Sequence, residues 1–120
     1  MSGISEDVKK FEGSLTNTGI ESATFDFVYT IESLEHCVSL YSTIREISRI
    51  IKPGGTWLII DKDLRKLGRL VLPEWEQWFD PNSLAALLIE NGFEVQIKRN
   101  IQYEGKRDGL FVGWIASKSK

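Results

Sequence analysis

Residues 25–55 read FDFVYTIESLEHCVSLYSTIREISRIIKPGG, and the fold follows from how this stretch is parsed. Phe25, Phe27, Val28, Tyr29 and Ile31 are apolar on both alternating sets of positions, the pattern of a strand buried on two faces. Leu40, Ile44, Ile47 and Ile51 then recur at helical spacing, with Arg45, Glu46 and Arg49 turned outward. Lys52 suits the negative end of that helix, and Pro53, Gly54 and Gly55 are expected to stop it. Residues 56–61, TWLIID, are again almost wholly apolar and form the next strand. Strand, helix, strand on this scale is a βαβ unit of a parallel sheet with a right-handed crossover.

The chain downstream changes character. Residues 62–79 mix basic Lys62, Arg65, Lys66 and Arg69 with many apolar side chains, and Pro73 divides them. Trp75, Trp78 and Phe79 fall at i, i+3, i+4 of a helical turn, as a cap over the sheet or a contact surface would require. Asp80 reads as a helix N-cap, with Pro81 at the first helical position. Leu84, Leu87 and Leu88 supply the inward face of that helix, and Gly92 suits its C′ position. Residues 93–103 alternate apolar Val95, Ile97, Ile101 and Tyr103 with polar Gln96, Lys98 and Asn100, a strand with one wet face. Residues 104–109 carry two glycines and read as a hairpin connection. Residues 110–116 are apolar on both faces, which places this last strand inside the sheet, between 56–61 and 93–103.

The bulk composition narrows the class. The 120 residues form a single domain, 1–120, with an amino-terminal segment 1–24 and a body 25–120. Fifteen basic against 17 acidic residues leave a net charge of -2, so no broad basic field exists to grip a nucleic-acid backbone. Cys37 is the sole cysteine, which excludes an internal disulfide framework and fits a reducing, cytoplasmic setting. Residues 1–10 lack the apolar core of a secretion signal, and no apolar run has the length of a membrane span. In the amino-terminal segment Ile4, Val8 and Phe11 share a helical face, while residues 8–11 equally suit a short strand before Gly13. Residues 14–24, rich in Ser, Thr, Asn and Gly, read as loop.

Four pieces of the sequence carry a family resemblance: FDFVYTIESLEH (25–36), IREISRIIKPGGTWLIID (44–61), FDPNSLAALLIENGFEV (79–95) and FVGWIASK (111–118). In this order they resemble the C-terminal half of class I S-adenosylmethionine-dependent methyltransferases of the small-molecule type. The resemblance implies an α/β, partial Rossmann-like sheet of order 4-5-7-6 in the family's numbering, its last strand antiparallel, with helices on its faces. It also implies S-adenosylmethionine as cofactor. Those enzymes hold it by a glycine-rich turn after the first strand and an acid ending the second. The 24 residues before Phe25 contain no strand, GxG turn and helix. At FEGSL, where the family commonly has Gly-Asp against the adenine amine, this chain has Gly13-Ser14. No tight binding of the cofactor to this chain alone is therefore expected, and the chain is expected to be inactive by itself.

The resemblance and the sheet edge together nominate site residues. Thr30 and Glu32 follow the first strand at the carboxyl edge, where α/β sheets place ligands; Gly13 and Ser14 join them as cofactor contacts. Glu32 is either a polar contact to substrate or cofactor or an acid favouring the following helix. His36 is the candidate general base, with a turn-fixing hydrogen bond as its alternative role. Trp57 is a possible wall of a dimer-built pocket. Asp61 and Asp63 read as solvated loop charges, and no metal site is expected, since one His and one Cys cannot complete a ligand set. Trp75, Trp78 and Phe79 are assigned to a substrate pocket or an interface. A strand this apolar at a sheet edge offers unpaired amides, so self-association through Phe25–Ile31 is expected, as a homodimer, with a complementing chain as the alternative partner.

Overall fold

The structure, a computed structural model, describes residues 16–34, 39–64, 79–99 and 111–120. Its elements are β1 (Phe25–Ile31), α1 (Leu40–Ile50), β2 (Ile51–Lys62), α2 (Pro81–Glu90), β3 (Phe93–Lys98) and β4 (Phe111–Lys118). They form one four-stranded sheet of order β1-β2-β4-β3. β1 runs parallel to β2, and β4 is antiparallel to both β2 and β3. The last strand thus lies inside the sheet, as its two apolar faces require.

Packing separates the two faces of the sheet. Ile44 and Ile47 of α1 and Leu84, Ala85 and Leu88 of α2 join one cluster with Trp57, Ile59, Phe93, Val112, Trp114 and Ala116. All of these sheet residues sit on the same side, so both helices cover one face. At about 1.5–3 kcal/mol for each large apolar side chain buried, this layer outweighs any surface ion pair in the fold. Indole edges are satisfied within it: Trp57 Nε1 donates to Thr30 Oγ1 at 3.1 Å, and Trp114 Nε1 to the Pro81 carbonyl at 3.0 Å. Phe79 meets Trp114 edge-on, with ring centroids 6.3 Å apart.

The opposite face explains the first departure from expectation. β1 is not buried on both sides: Phe27 is 52% and Tyr29 50% exposed. They project from the face that neither helix covers, on a strand that ends the described sheet. A second departure is polar. Glu46, assigned to the outer face of its helix, is buried, because Thr18 N and Oγ1 donate to its Oε2 at 2.9 and 2.6 Å and Arg49 pairs with it at 2.7 Å. A third is Asp61 and Asp63, which are buried rather than solvated. Asp61 takes the inward position of β2 that follows Trp57 and Ile59 in the two-residue alternation, and Asp63, one residue past the strand, bridges to Phe79.

Helix ends were read correctly at α2 and incorrectly at α1. Asp80 Oδ2 accepts from Ser83 N at 2.9 Å, Pro81 opens α2, and Gly92 follows it at φ 93°. α1 instead ends one turn before the Pro-Gly-Gly. Ile51 is its extended C-cap and already the first residue of β2. Lys52 leaves the helix end and lies 3.6 Å from Asp26. The cation at that end is Lys118, whose Nζ donates to the Ser48 and Ile51 carbonyls at 2.6 and 2.8 Å. Pro53, Gly54 and Gly55 form a bulge: the register passes from Phe25↔Ile51 to Phe27↔Thr56, so four residues of β2 stand against Asp26. The third sheet strand ends at Lys98 among the described residues, and 100–103 lie outside them.

The bulge depends on a residue without a side chain. A Cβ on Gly55 would lie 2.7 Å from Ile51 Cγ2, 2.8 Å from the Asp26 carbonyl oxygen and 2.9 Å from the Lys52 carbonyl oxygen. Two of these are backbone atoms held by the β1–β2 pairing and cannot yield cheaply. Gly55→Ala is expected to cost about 2–3 kcal/mol, with Gly54→Ala (φ 85°) costing about 1–2. The midpoints of urea unfolding of the two variants check the ranking.

Candidate functional site

The carboxyl ends of β1 and β2 meet at one rim. Glu32 leaves β1 with its N–H donating to the Ile60 carbonyl at 2.8 Å, so the parallel ladder persists one residue beyond the strand. Its φ is 53°, a left-handed conformation that costs a side-chain-bearing residue of order 1 kcal/mol and is held by its surroundings. The turn carries the Glu32 carboxylate to 3.4 Å from Lys62 Nζ, both side chains being partly exposed. Leu34, two residues on, is fully buried and anchors the exit of the turn. A carboxylate and an ammonium side by side at a sheet's carboxyl rim can receive a zwitterionic group, since each charge has a complementary partner.

Around this rim the nominated residues separate. Thr30 is buried and accepts the Trp57 indole N–H, and Trp57 is fully buried, so this pair ties β1 to β2 inside the core. Trp57 is therefore no pocket wall. Phe79 is also buried, yet it contributes to a second feature, a cavity of about 330 Å³ lined by Leu40, Leu64, Phe79, Leu84 and Leu87, with Asp80 and Ser83 at its polar side. Leu64 N donates to the Phe79 carbonyl and Phe79 N to the Lys62 carbonyl, at 2.8 and 3.1 Å, so this apolar cavity adjoins the end of β2. Gly13, Ser14, His36, Trp75 and Trp78 lie outside the described residues. Among the described residues no three His, Cys, Asp or Glu side chains converge.

The loop after Ser14 is fixed by groups that periodicity alone cannot find. Besides its bonds to Thr18, Glu46 receives Arg49 Nε at 2.8 Å, and Arg49 also donates to Ser22 Oγ and to the Ile20 carbonyl. The clasp borders a polar cavity of about 400 Å³ lined by Thr16, Ser42, Arg45, Glu46 and Arg49. An i, i+3 Glu–Arg pair was visible in the sequence. Its partner Thr18, 28 residues earlier, left no signal. Lys62, the partner of Glu32, likewise looked like one of several loop cations.

Residues 3–59 match the family model described as a methyltransferase domain. Over 59 residues, 49% of this chain, the sequence is 36% identical to the sterol 4-C-methyltransferase strm-1 of Caenorhabditis elegans, of which that stretch is 18%. The fold is similar to that of an S-adenosylmethionine-dependent methyltransferase, a possible histamine N-methyltransferase, from Thermotoga maritima. The TM-score is 0.71 at 19% identity, covering 89% of this chain and 62% of that one. The amino-terminal half of the chain is thus similar in sequence to methyltransferases, and the fold is similar to theirs. It is also similar, with TM-score 0.68 and 21% identity, to a Burkholderia thailandensis 1,6-didemethyltoxoflavin-N1-methyltransferase solved with S-adenosylhomocysteine, covering 88% of this chain and 48% of that one. The chain thus spans a small part of the sterol enzyme and under two thirds of these two solved chains. Among its described residues no helix is long and apolar enough to cross a membrane.

The Glu46 clasp gives the domain a defined acid response. Its Arg49 hydrogen bonds, joined by those from Thr18, lower the Glu46 carboxyl from 4.5 to about 2, against the opposing effect of burial. A carboxyl depressed on folding contributes stability above its unfolded pKa and loses it as pH falls through the folded one. Wild-type stability is therefore expected to fall relative to Glu46→Gln between pH 4.5 and about 2. At pH 7 the variant is expected to be less stable by about 1–3 kcal/mol. Thermal unfolding of both proteins across this range measures the difference; parallel curves would show that the clasp does not titrate.

Proposed function

We propose that this chain supplies the carboxyl-rim part of an S-adenosylmethionine site, and that it neither holds the cofactor tightly nor transfers methyl groups by itself. The observation that carries the reading is the Glu32–Lys62 pair at the rim of a methyltransferase-like sheet. The pair suits the amino and carboxylate groups of the cofactor's methionine end. The described residues fit that end and no more of the ligand. Thr30 is committed to Trp57, and the sequence places Ser14 where relatives have an acid. When bound, the cofactor would supply the methyl group. This chain's contribution would be orientation of the polar end by Glu32 and Lys62 and an apolar wall from Leu40, Leu64 and Leu87. His36 stays the nominated base. A cytoplasmic setting belongs to the same reading, supported by the lone Cys37.

Completion of the site would come from association, by a second copy meeting β1 or by a separate chain bearing the glycine-rich turn. The apolar character of Phe25–Ile31 and its place at the end of the described sheet support contact there. Calorimetric titration of the isolated chain with S-adenosylmethionine and S-adenosylhomocysteine is expected to give no heat and no thermal shift. Saturable heat that Glu32→Gln abolishes would place a working cofactor site in this chain and overturn its inactivity alone.

A further inference from the structure

The sheet face opposite the helices has a regular composition. Three rows of residues cross it, each following the strand pairings. The central row is Tyr29, Leu58, Ile115 and Gln96. On one side lie Phe27, Thr56, Ser117 and Glu94, and on the other Ile31, Ile60, Gly113 and Lys98. The first three members of the rows are mainly apolar or small. The β3 members, Glu94, Gln96 and Lys98, are polar and exposed. An apolar centre with a charged rim along one side is the anatomy of an interface.

We infer that this face is where two copies of the chain meet, related by a two-fold axis that runs along the Tyr29–Leu58–Ile115–Gln96 row. The inference rests on the self-association proposed above and fixes its geometry. A rotation about that row lays each strand antiparallel over its own copy and exchanges the two flanking rows. Phe27 then faces Ile31, Ser117 faces Gly113, and Glu94 of each copy faces Lys98 of the other. The alternative axis, along the strands, would set Phe27 and Tyr29 over the charged side chains of β3. Charge complementarity therefore selects the second copy as occupant and this axis as its relation. Aligned sheets stack about 10 Å apart and skewed by about 30°, an offset that the long Glu and Lys side chains can span. The face is small, four strands at about 4.8 Å spacing, so the dimer belongs to the weak class of interfaces.

Sedimentation velocity of the full chain up to concentrations on the order of 100 µM tests this. Wild type is expected to dimerise. Glu94→Lys and Lys98→Glu each replace two attractive pairs by two repulsive ones and should weaken the dimer about tenfold. The double variant, which exchanges the charges, should recover wild-type association, and an equimolar mixture of the two single variants should form a heterodimer. Both positions are solvent-exposed, so circular dichroism should show folding intact. A dimer indifferent to all three variants would overturn this axis while leaving self-association standing. A monomer throughout would overturn both.

Discussion

The inward row of β2 is what the other elements close upon. Ile51, Gly55, Trp57, Ile59 and Asp61 are all buried, as is Asp63 just beyond the strand. At its start the row needs a glycine, because the bulge brings backbone oxygens within 3 Å of where a side chain would begin. In its middle Trp57 packs tilted against Phe93, ring centroids 5.9 Å apart, and donates to Thr30, tying three strands together. At its end the row turns from apolar to acidic, where β2 approaches the rim that carries Glu32 and Lys62. Sheet register, helix placement and the chemistry of the rim are thus consequences of one alternating strand.

Much of this was legible in the residues. Local signals with a local cause survived intact: the Asp80 cap and Pro81, the glycine after α2, and the doubly apolar last strand that belongs inside a sheet. What misled were residues whose environment is made by distant chain. Glu46 has the spacing of an outward residue and is drawn in by Thr18. Lys118, 67 residues from Ile51, takes the helix-end role that proximity suggested for Lys52. Pro53-Gly54-Gly55 has the composition of a helix stop, yet the helix ends beforehand and the same residues make a bulge. Phe27 and Tyr29 look like core because their composition does, but burial needs a covering layer and both helices lie on the other side. Of the nominated site, the structure brings Thr30 and Glu32 to adjacent positions with opposite fates, one sealed by an indole and one displayed on the rim.

Fold and site carry different weight in this protein. The fold is similar to that of methyltransferases of low identity, and such similarity speaks to architecture. Chemistry has to come from the rim, where the distinctive feature is a strained residue: Glu32 takes a left-handed conformation that Gly or Asn would adopt more readily. The energetic cost is small, and the side chain delivered by it is the one that meets Lys62. Glycine at this position would adopt the turn without strain but would remove the carboxylate that lies 3.4 Å from Lys62 Nζ.

The two faces of the sheet also divide the roles. The helical side holds the fold together, so its polar groups are consumed in structure: Thr30 by Trp57, the Pro81 carbonyl by Trp114, the Ser48 carbonyl by Lys118. The other side carries Phe27 and Tyr29 half exposed. Apolar surface of this kind is costly to leave in water and gains by being covered. Because β1 contributes Glu32 at its end and Tyr29 on this face, whatever covers the face also restrains the strand that aims the rim. In the proposed dimer, association and ligand geometry would be coupled through a single strand, with no conformational relay required between them.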